Sequence, residues 1–366
     1  MKFMFNLARL PKSKSIYLDD IDSAAARLFE KVRTLRIESL NISDYNKRYF
    51  GHIAEDITAS LQLRSYMMAW VLSESRKSLA GSVFIDYGGG SGMLSLLAKE
   101  LKIGTVIYND IYDVSCHDAG VIAEALGCPA DHYVRGEIDD VIYFLKGKGL
   151  SCSALASYDV IEHIYDMEDF LRKLPFLSNG SMSIFLSSGA NMLNPRQNRL
   201  LTKKQIDVEF TDRQPKWGKK PTDCLRAHLR VREEMIEDYL NELSVNTGKD
   251  IVEKLAKDTR GLIQEDIRSH VDRYLKTKQS MPVLVHPTNT CDPYNGNWCE
   301  HLMDPFYLAK ILADNGFDTQ ILAGFYGAVK HPVKRIIGEA LNIPIYLFKD
   351  FGLRLAPFYS LYGFRR

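Results

Sequence analysis

Cysteine is sparse and poorly spaced for metal or disulfide chemistry. The six cysteines of the 366-residue chain, at 116, 128, 152, 224, 291 and 299, include no C-x-x-C pair, which argues against a zinc ribbon or a disulfide framework. They read as the reduced thiols of a cytoplasmic protein. Long apolar runs are missing as well: no stretch approaches the roughly 18 uninterrupted apolar residues of a membrane helix. The opening "MKFMFNLARLPKSK" has basic ends, but Asn6 and Arg9 break its apolar centre and no small-residue cleavage site follows, so a secretory signal is not expected. A net charge of +1 supplies no global attraction for nucleic acid or an anionic membrane, and a polyanion would have to be met by a local patch. Internal repeats and low-complexity tracts are absent, and nothing in the chain marks an oligomeric state.

What is present is an ordinary globular composition, 46% hydrophobic and 25% charged, enough apolar matter for a sizeable core. The length suits one large elaborated domain or two. From about Leu18 to Leu79 apolar residues recur at three and four spacing, which predicts helix throughout. From Ser82 short β-rich runs alternate with helical ones: "SVFIDY", "GMLSLLAKEL", "TVIYND", "DAGVIAEALG", "HYVRGE", "ALASYDVIEH", "MEDFLRKLPFL", "SMSIFLSS". That rhythm predicts βαβ units, hence an α/β fold with a doubly wound, mostly parallel sheet carrying helices on both faces. Residues 195–280 break the rhythm with charged helical sequence, read as a lid inserted over the carboxyl ends of the strands. The α/β pattern resumes in 281–366 with a helix ended by Gly316, the strand "DTQILAGFY", a helical run near 332–350 and a last strand in "APFYSLYGFRR". The expected divisions are thus 1–80, 81–194, 195–280 and 281–366, with seven strands in one sheet.

The stretch "VFIDYGGGSGM" places Gly88, Gly89, Gly90 and Gly92 directly behind a strand ending near Asp86. A dinucleotide fingerprint begun at Gly88 needs glycine where Met93 stands, and no lysine with a following serine or threonine closes a phosphate loop. A turn stripped of side chains lets backbone amides and a helix N-terminus approach a compact anionic group, while Asp86 faces a cation. An amino acid moiety carries both charges.

This combination resembles the first motif of class I S-adenosylmethionine-dependent methyltransferases, an acidic residue followed by G-x-G-x-G. The resemblance implies that Asp86 and the glycines receive the methionine end of S-adenosyl-L-methionine. It extends to "TVIYNDIYD", whose Asp110 would grip both ribose hydroxyls with Ile111 beside it, and to "VRGEID", where Glu137 accepts from the adenine amino group and Ile138 packs on the ring. It continues through "SYDVIEHIYD" with Asp159, and in general form through 300–366, where the family has an antiparallel closing strand. In several relatives an aromatic and an arginine before the first strand close over the cofactor carboxylate. Tyr45 and Arg48 of "NISDYNKRYFGHI", with Tyr49, stand in that position, a core aromatic with a solvated arginine being the equal alternative.

Since a sulfonium methyl is already activated, such a protein has mainly to align an acceptor and exclude water. A hydroxyl acceptor gains from a general base, and His163 is the candidate, the alternative being that it only orients its loop. Asp159-x-x-Glu162-His163 also resembles the divalent-metal site of quinone and small-RNA O-methyltransferases, with Asp where those carry Glu and only His286 and His301 available as a further ligand; the reading adopted has no metal. Lys216, Lys219, Lys220, Arg226 and Arg230 would welcome an acidic acceptor unless spent in a mixed-charge helix, and Trp217, Trp298 and Tyr294 would stack on a sugar or base unless they are core. The texture is similar to bacterial surface-glycan and natural-product methyltransferases, implying S-adenosyl-L-homocysteine as product and a sugar, glycan precursor or other small hydroxyl compound as acceptor. An RNA 2'-O-methyltransferase and a non-catalytic cofactor-binding subunit are the rivals. The basic, aromatic run 330–359 allows peripheral membrane contact, the alternative being that it packs against the sheet.

Overall fold

The computed structural model describes residues 10, 17–74, 78–214, 224–280 and 286–366. It divides into two compact units: Met1–Ile161 with Glu168–Asn194 and Asp304–Arg366, and Glu162–Met167 with Pro195–Met303.

The first unit carries α1 (Leu18–Thr34), α2 (Asp44–Glu55), α3 (Ile57–Val71), β1 (Val83–Tyr87), α4 (Met93–Glu100), β2 (Thr105–Asp110), α5 (Asp113–Ala125), β3 (His132–Arg135), α6 (Ile138–Lys148), β4 (Ala154–Tyr158), α7 (Met167–Lys173) and β5 (Met182–Ser188). The second carries α8 (Pro195–Phe210), α9 (His228–Glu242), α10 (Lys249–Asp258) and α11 (Gln264–Thr277). The chain then returns to the first unit with α12 (Pro305–Asp314), β6 (Asp318–Ala323), α13 (Pro332–Leu347), α14 (Lys349–Gly352) and β7 (Tyr359–Arg365).

One seven-stranded sheet has the order β3-β2-β1-β4-β5-β7-β6. The five strands β1 to β5 pair in parallel, and β7 runs antiparallel to both β5 and β6. Every residue of β1 and of β5 is buried, as strands covered on both faces must be. The order reverses between β1 and β4, so the carboxyl ends of these two strands diverge and leave the crevice in which open α/β sheets hold ligands.

The amino-terminal helices are part of this unit. Ile21 and Leu28 of α1, Leu61 and Met68 of α3, Leu97 of α4 and Phe84 of β1 share one core. The helix expected without interruption from 18 to 79 is broken after Thr34 and closed at Val71. Ser43 restarts it, its hydroxyl accepting from the Asn46 N–H, an N-cap that competes with continued helix. Helix α3 is unusual in being buried over nearly its whole circumference, Gln62 and Arg64 included. At the end of α12 the expected Gly316 takes φ +87°, the left-handed C-terminal stop.

The second unit has its own core, in which Val231, Ile236, Leu255, Ile267 and Val271 are fully or almost fully buried. Beneath it lies an ion pair with both partners out of water. Arg232 Nη2 donates to Glu209 Oε1 at 2.5 Å, its Nε to the Ala256 carbonyl at 2.9 Å, and Thr290 Oγ1 to Glu209 Oε2 at 2.8 Å. Arg226 pairs with Glu234, and Arg230 with Asp212 at 2.6 Å, so of the two readings weighed there these two arginines take the mixed-charge one. Lys216, Trp217, Lys219 and Lys220 lie outside the described residues.

Candidate active site

The glycine turn sits where β1 meets α4, and three of its residues have left-handed backbone: Gly88 at φ +66°, Gly90 at +54° and Gly92 at +75°. At Gly88 a Cβ would stand 2.5 Å from Val160, and at Gly89, 2.6 Å from the Tyr108 ring, so neither position has room for a side chain. Above Gly90 the nearest atom is Tyr49 Cε1, 3.5 Å from where a Cβ would be, which makes Tyr49 the aromatic that covers the turn. Tyr45 stacks on it at 6.1 Å, and Arg48 is exposed. Helix α2, which bears all three, is pinned to α5: Asp118 Oδ2 accepts from Ser43 N–H, Ser43 Oγ and Asn46 Nδ2 at 3.0, 2.5 and 2.7 Å. Burial alone would raise the Asp118 pKa, but the bonds from Ser43, His117 and Asn46 outweigh it and hold the carboxyl below its ordinary value.

Asp86 is 2% exposed, and its Oδ2 accepts both the Ser95 N–H and the Ser95 hydroxyl at 2.9 Å. Half of the carboxylate expected to meet a ligand cation is therefore spent on ordering the first turn of α4. Burial pushes its pKa up to about 6, against the opposing effect of the Ser95 bonds and of the charge on Arg64. Asp110, at the tip of β2, accepts from the Gly90 N–H at 3.2 Å through Oδ2 and from the Tyr112 N–H at 3.0 Å through Oδ1. The carboxylate is held rigid beside the turn by these two bonds. Tyr108 completes the brace by donating to the Gly90 carbonyl at 2.6 Å.

At the tip of β3, Asn109 Nδ2 bonds the Val134 and Gly136 carbonyls at 3.0 and 2.9 Å, and Asp140 accepts the Glu137 N–H at 2.9 Å. Glu137 is exposed. Ile138, expected to pack on the ring, is 4% exposed, whereas Ile111, expected beside Asp110, is 49% exposed and presents the accessible apolar surface. At the tip of β4, Asp159 is an exposed non-glycine residue at φ +52°, held by the Gly189 N–H on its Oδ1 at 2.8 Å. Such a conformation is uncommon for a side-chain-bearing residue and clusters at functional sites.

The sequence reading missed Arg64. It projects from buried α3, is 9% exposed, and its guanidinium lies 5.0 Å over the Tyr158 ring. Its Nη1 reaches the Ser60 carbonyl only at 3.5 Å, and its Nε–H has no acceptor among the described residues. The Tyr49 hydroxyl has its pKa raised by burial first, with Arg64 opposing and Asp159, Asp110 and Asp86 adding; these four charges converge on Tyr49 from four elements. One signal existed in the sequence: Arg64 is the lone charged residue in "ITASLQLRSYMMAWV".

Within the second unit, His163 follows the short 3-10 turn Ile161–His163, and its Nδ1 lies 2.8 Å from the Trp298 carbonyl. In the neutral ring that bond assigns the proton to Nδ1 and the lone pair to Nε2. Trp298 is buried, donates its indole N–H to the Tyr165 carbonyl at 3.1 Å and stacks on His301 at 4.0 Å. Burial first, then the neighbouring His286, lowers the His301 pKa to about 4, and burial lowers that of His286. Tyr294 is 60% exposed. Among the described residues no group of three or more His, Cys, Asp or Glu side chains is placed to hold a metal ion.

No protein-family model matches the chain, and no curated protein does. Similar solved structures are S-adenosylmethionine-dependent methyltransferases. The ribosomal protein L11 methylase of Lactobacillus delbrueckii subsp. bulgaricus shares 20% identity over 39% of this chain, with a TM-score of 0.28; the likeness spans 66% of that protein, just under two thirds. A putative S-adenosylmethionine-dependent methyltransferase of Listeria monocytogenes shares 10% identity over 81% of this chain and 96% of its own, with a TM-score of 0.40. The plantazolicin methyltransferase BpumL, solved with S-adenosylhomocysteine, shares 14% over 94% and 99%, with a TM-score of 0.38.

Proposed function

We propose that the protein is an S-adenosylmethionine-dependent methyltransferase that methylates a hydroxyl of a sugar, glycan precursor or other small molecule. The observation that carries the cofactor reading is a convergence: a turn with no room for side chains at Gly88 and Gly89, a carboxylate locked to its Gly90 amide, and a buried arginine with an unspent donor. That donor set suits an amino acid joined to a nucleoside. The positive α4 N-terminus and Arg64 match a carboxylate, the remaining oxygen of Asp86 an ammonium group, and Asp110 a pair of vicinal hydroxyls. Glu137 accepts from an exocyclic amine, Ile111 covers a ring, and Tyr49 with Tyr45 shuts out water. When bound, the cofactor supplies a methyl group activated on sulfonium sulfur.

His163 is assigned as the base. Its Nε2 takes the acceptor proton while the Trp298 carbonyl fixes the tautomer and stabilises the imidazolium that forms. Arg48 and Asp159 are assigned to the mouth of the cofactor site.

Native mass spectrometry with S-adenosylmethionine and S-adenosylhomocysteine tests the donor. Wild-type protein is expected to hold one molecule of either, and Gly90→Arg, which fills the turn beneath Tyr49, to hold neither. A Gly90→Arg protein that binds like wild type sinks the pocket. For the base, His163→Ala is expected to keep cofactor affinity and to lose turnover by about 10²-fold or more on any hydroxyl acceptor found with labelled cofactor. Unchanged turnover removes His163 from the mechanism.

A further inference from the structure

Helix α13 is buried the wrong way for a surface helix. Its packed stripe is narrow and polar in part: Gly338, Asn342 and Ile345. Asn342 clamps the Tyr326 backbone, accepting its N–H at 2.8 Å and donating to its carbonyl at 2.9 Å, while a Cβ on Gly338 would come within 2.8 Å of the Tyr326 side chain. The opposite face is apolar and open, with Lys334, Arg335 and Glu339 elsewhere on the helix. Val333, Ile336, Ile337, Ile343 and Leu347 are 52–66% exposed, and Phe348 and Phe351 extend the strip into α14 at 55% and 54%. A contiguous exposed apolar face marks an interaction site.

The charge around the strip selects the phase. Residues 330–354 carry five cations and two anions in a chain whose total is +1, so the remainder is net negative. Lys330, Lys334, Arg335 and Arg354 are exposed. Lys334 and Arg335 lie in the first turn of α13, which holds no acidic residue; cations there oppose the helix dipole and do not stabilise the helix. Arg335 is neutralised by Glu339 at 2.9 Å, leaving Lys334 facing outward. Among the described residues no helix is long and apolar enough to cross a membrane, so a bilayer contact at this strip is a surface contact.

The strip also has a fixed relation to the cofactor site. Strand β6 is antiparallel to β7, itself antiparallel to β5, so α13 leaves the sheet from the same edge as the glycine turn. The β6–α13 connection is tied to α3, the helix of Arg64: the Ala328 N–H donates to Gln62 Oε1 at 2.8 Å and the Lys330 N–H to Asp56 Oδ1 at 2.9 Å.

We propose that α13 and α14 form an interfacial anchor, with the apolar strip entering the acyl boundary of an anionic bilayer and Lys330, Lys334 and Arg354 meeting its headgroups. Pairing of the same face in two copies would set the two cationic clusters of a two-fold interface close together, which favours the lipid surface over self-association. The anchor turns the carboxyl edge of the sheet toward the membrane. Resting on the methyltransferase reading, it implies an acceptor presented at the bilayer surface.

Sedimentation of the full chain with phosphatidylcholine vesicles, with and without phosphatidylglycerol, tests this. Wild-type protein is expected to pellet with the anionic vesicles and to be released by salt. I336D/I337D is expected to stay in solution, and Lys334→Glu to bind roughly fivefold or more weakly, the effect of about 1 kcal/mol per basic residue at an anionic surface. Both variants should retain wild-type cofactor affinity, since α13 is outside that site; this keeps a failure here separate from a failure of the donor assignment. Wild-type protein left in solution with anionic vesicles overturns the proposal, as does an I336D/I337D protein that pellets normally. A wild-type dimer in vesicle-free buffer that I336D/I337D splits into monomers overturns it in favour of self-pairing.

Discussion

Arg64 and Arg232 are both buried arginines, one in each unit, and they have opposite surroundings. Arg232 is fully buried and its Nε, Nη1 and Nη2 all donate to protein acceptors, with Glu209 further bonded by Arg260 and Thr290. Arg64 is nearly as buried but leans on an aromatic face and, among the described residues, makes one long bond and leaves its Nε–H without an acceptor. A buried polar network that is complete holds a unit together; one that is incomplete has a place for something else. The difference teaches where to look for a ligand more sharply than burial or charge does separately.

The largest expected effect is on the complete network. Arg232→Ala strands Glu209 in the core with only Arg260 as a countercharge, and the second unit should lose about 3–5 kcal/mol, read by hydrogen exchange along α8 to α10. Exchange in the sheet of the first unit should not change. If Arg232→Ala costs nothing, the contrast with Arg64 collapses.

Acid titration sharpens the comparison next, because the two units should respond in opposite directions. Asp86 holds its proton more tightly in the folded protein, at about 6 against an ordinary 3.8. Between those values the folded state binds more protons than the unfolded one, so stability of the first unit falls as pH rises through about 6. His301 releases its proton more readily when folded, at about 4 against 6.5. Its contribution is present above 6.5 and is lost as pH falls toward 4. Each effect is on the order of 3 kcal/mol. Asp86→Asn should flatten the first slope and His301→Asn the second, by hydrogen exchange measured from pH 4 to pH 7; slopes that survive both substitutions assign the titrations elsewhere.

The smallest effect concerns the incomplete network. Arg64→Ala should weaken S-adenosylmethionine binding by about 30-fold, the loss of roughly 2 kcal/mol in a charged hydrogen bond, with Arg64→Lys recovering part of it. Thermal stability should barely move, since little in the protein depends on that guanidinium. A strong loss of stability with unchanged affinity would make Arg64 a structural arginine like Arg232.

Much of the first unit was legible in the linear chain because it rests on local rules. The alternation from Ser82 onward, the strand at "VFIDY", the stop at Gly316 and the antiparallel closing strand follow from side-chain period, turn chemistry and the family resemblance. The uninterrupted helix expected over 18–79 stops after Thr34, restarts at the Ser43 N-cap and closes at Val71. Of the candidate site, the glycine turn and Asp110 are brought together by a direct bond, and Tyr49, rather than Tyr45, covers the turn. Arg64 escaped notice because a single cation in an apolar helix has no spacing partner; its meaning comes from Tyr158, 94 positions away in the chain. Arg226 and Arg230, weighed as either a basic mouth or a mixed-charge helix, find carboxylates eight and eighteen positions distant, partners that composition does not single out.

By itself the sequence determined where the chain bends without side chains and which segments alternate between strand and helix, because backbone conformation at glycine and hydrophobic period are properties of neighbouring residues. Only the tertiary structure decided which buried charges are satisfied and which stand open, and which face of α13 is left to solvent. Those outcomes depend on atoms brought within about 3 Å from distant parts of the chain, where the removal of water makes a hydrogen bond strong and a missing one costly.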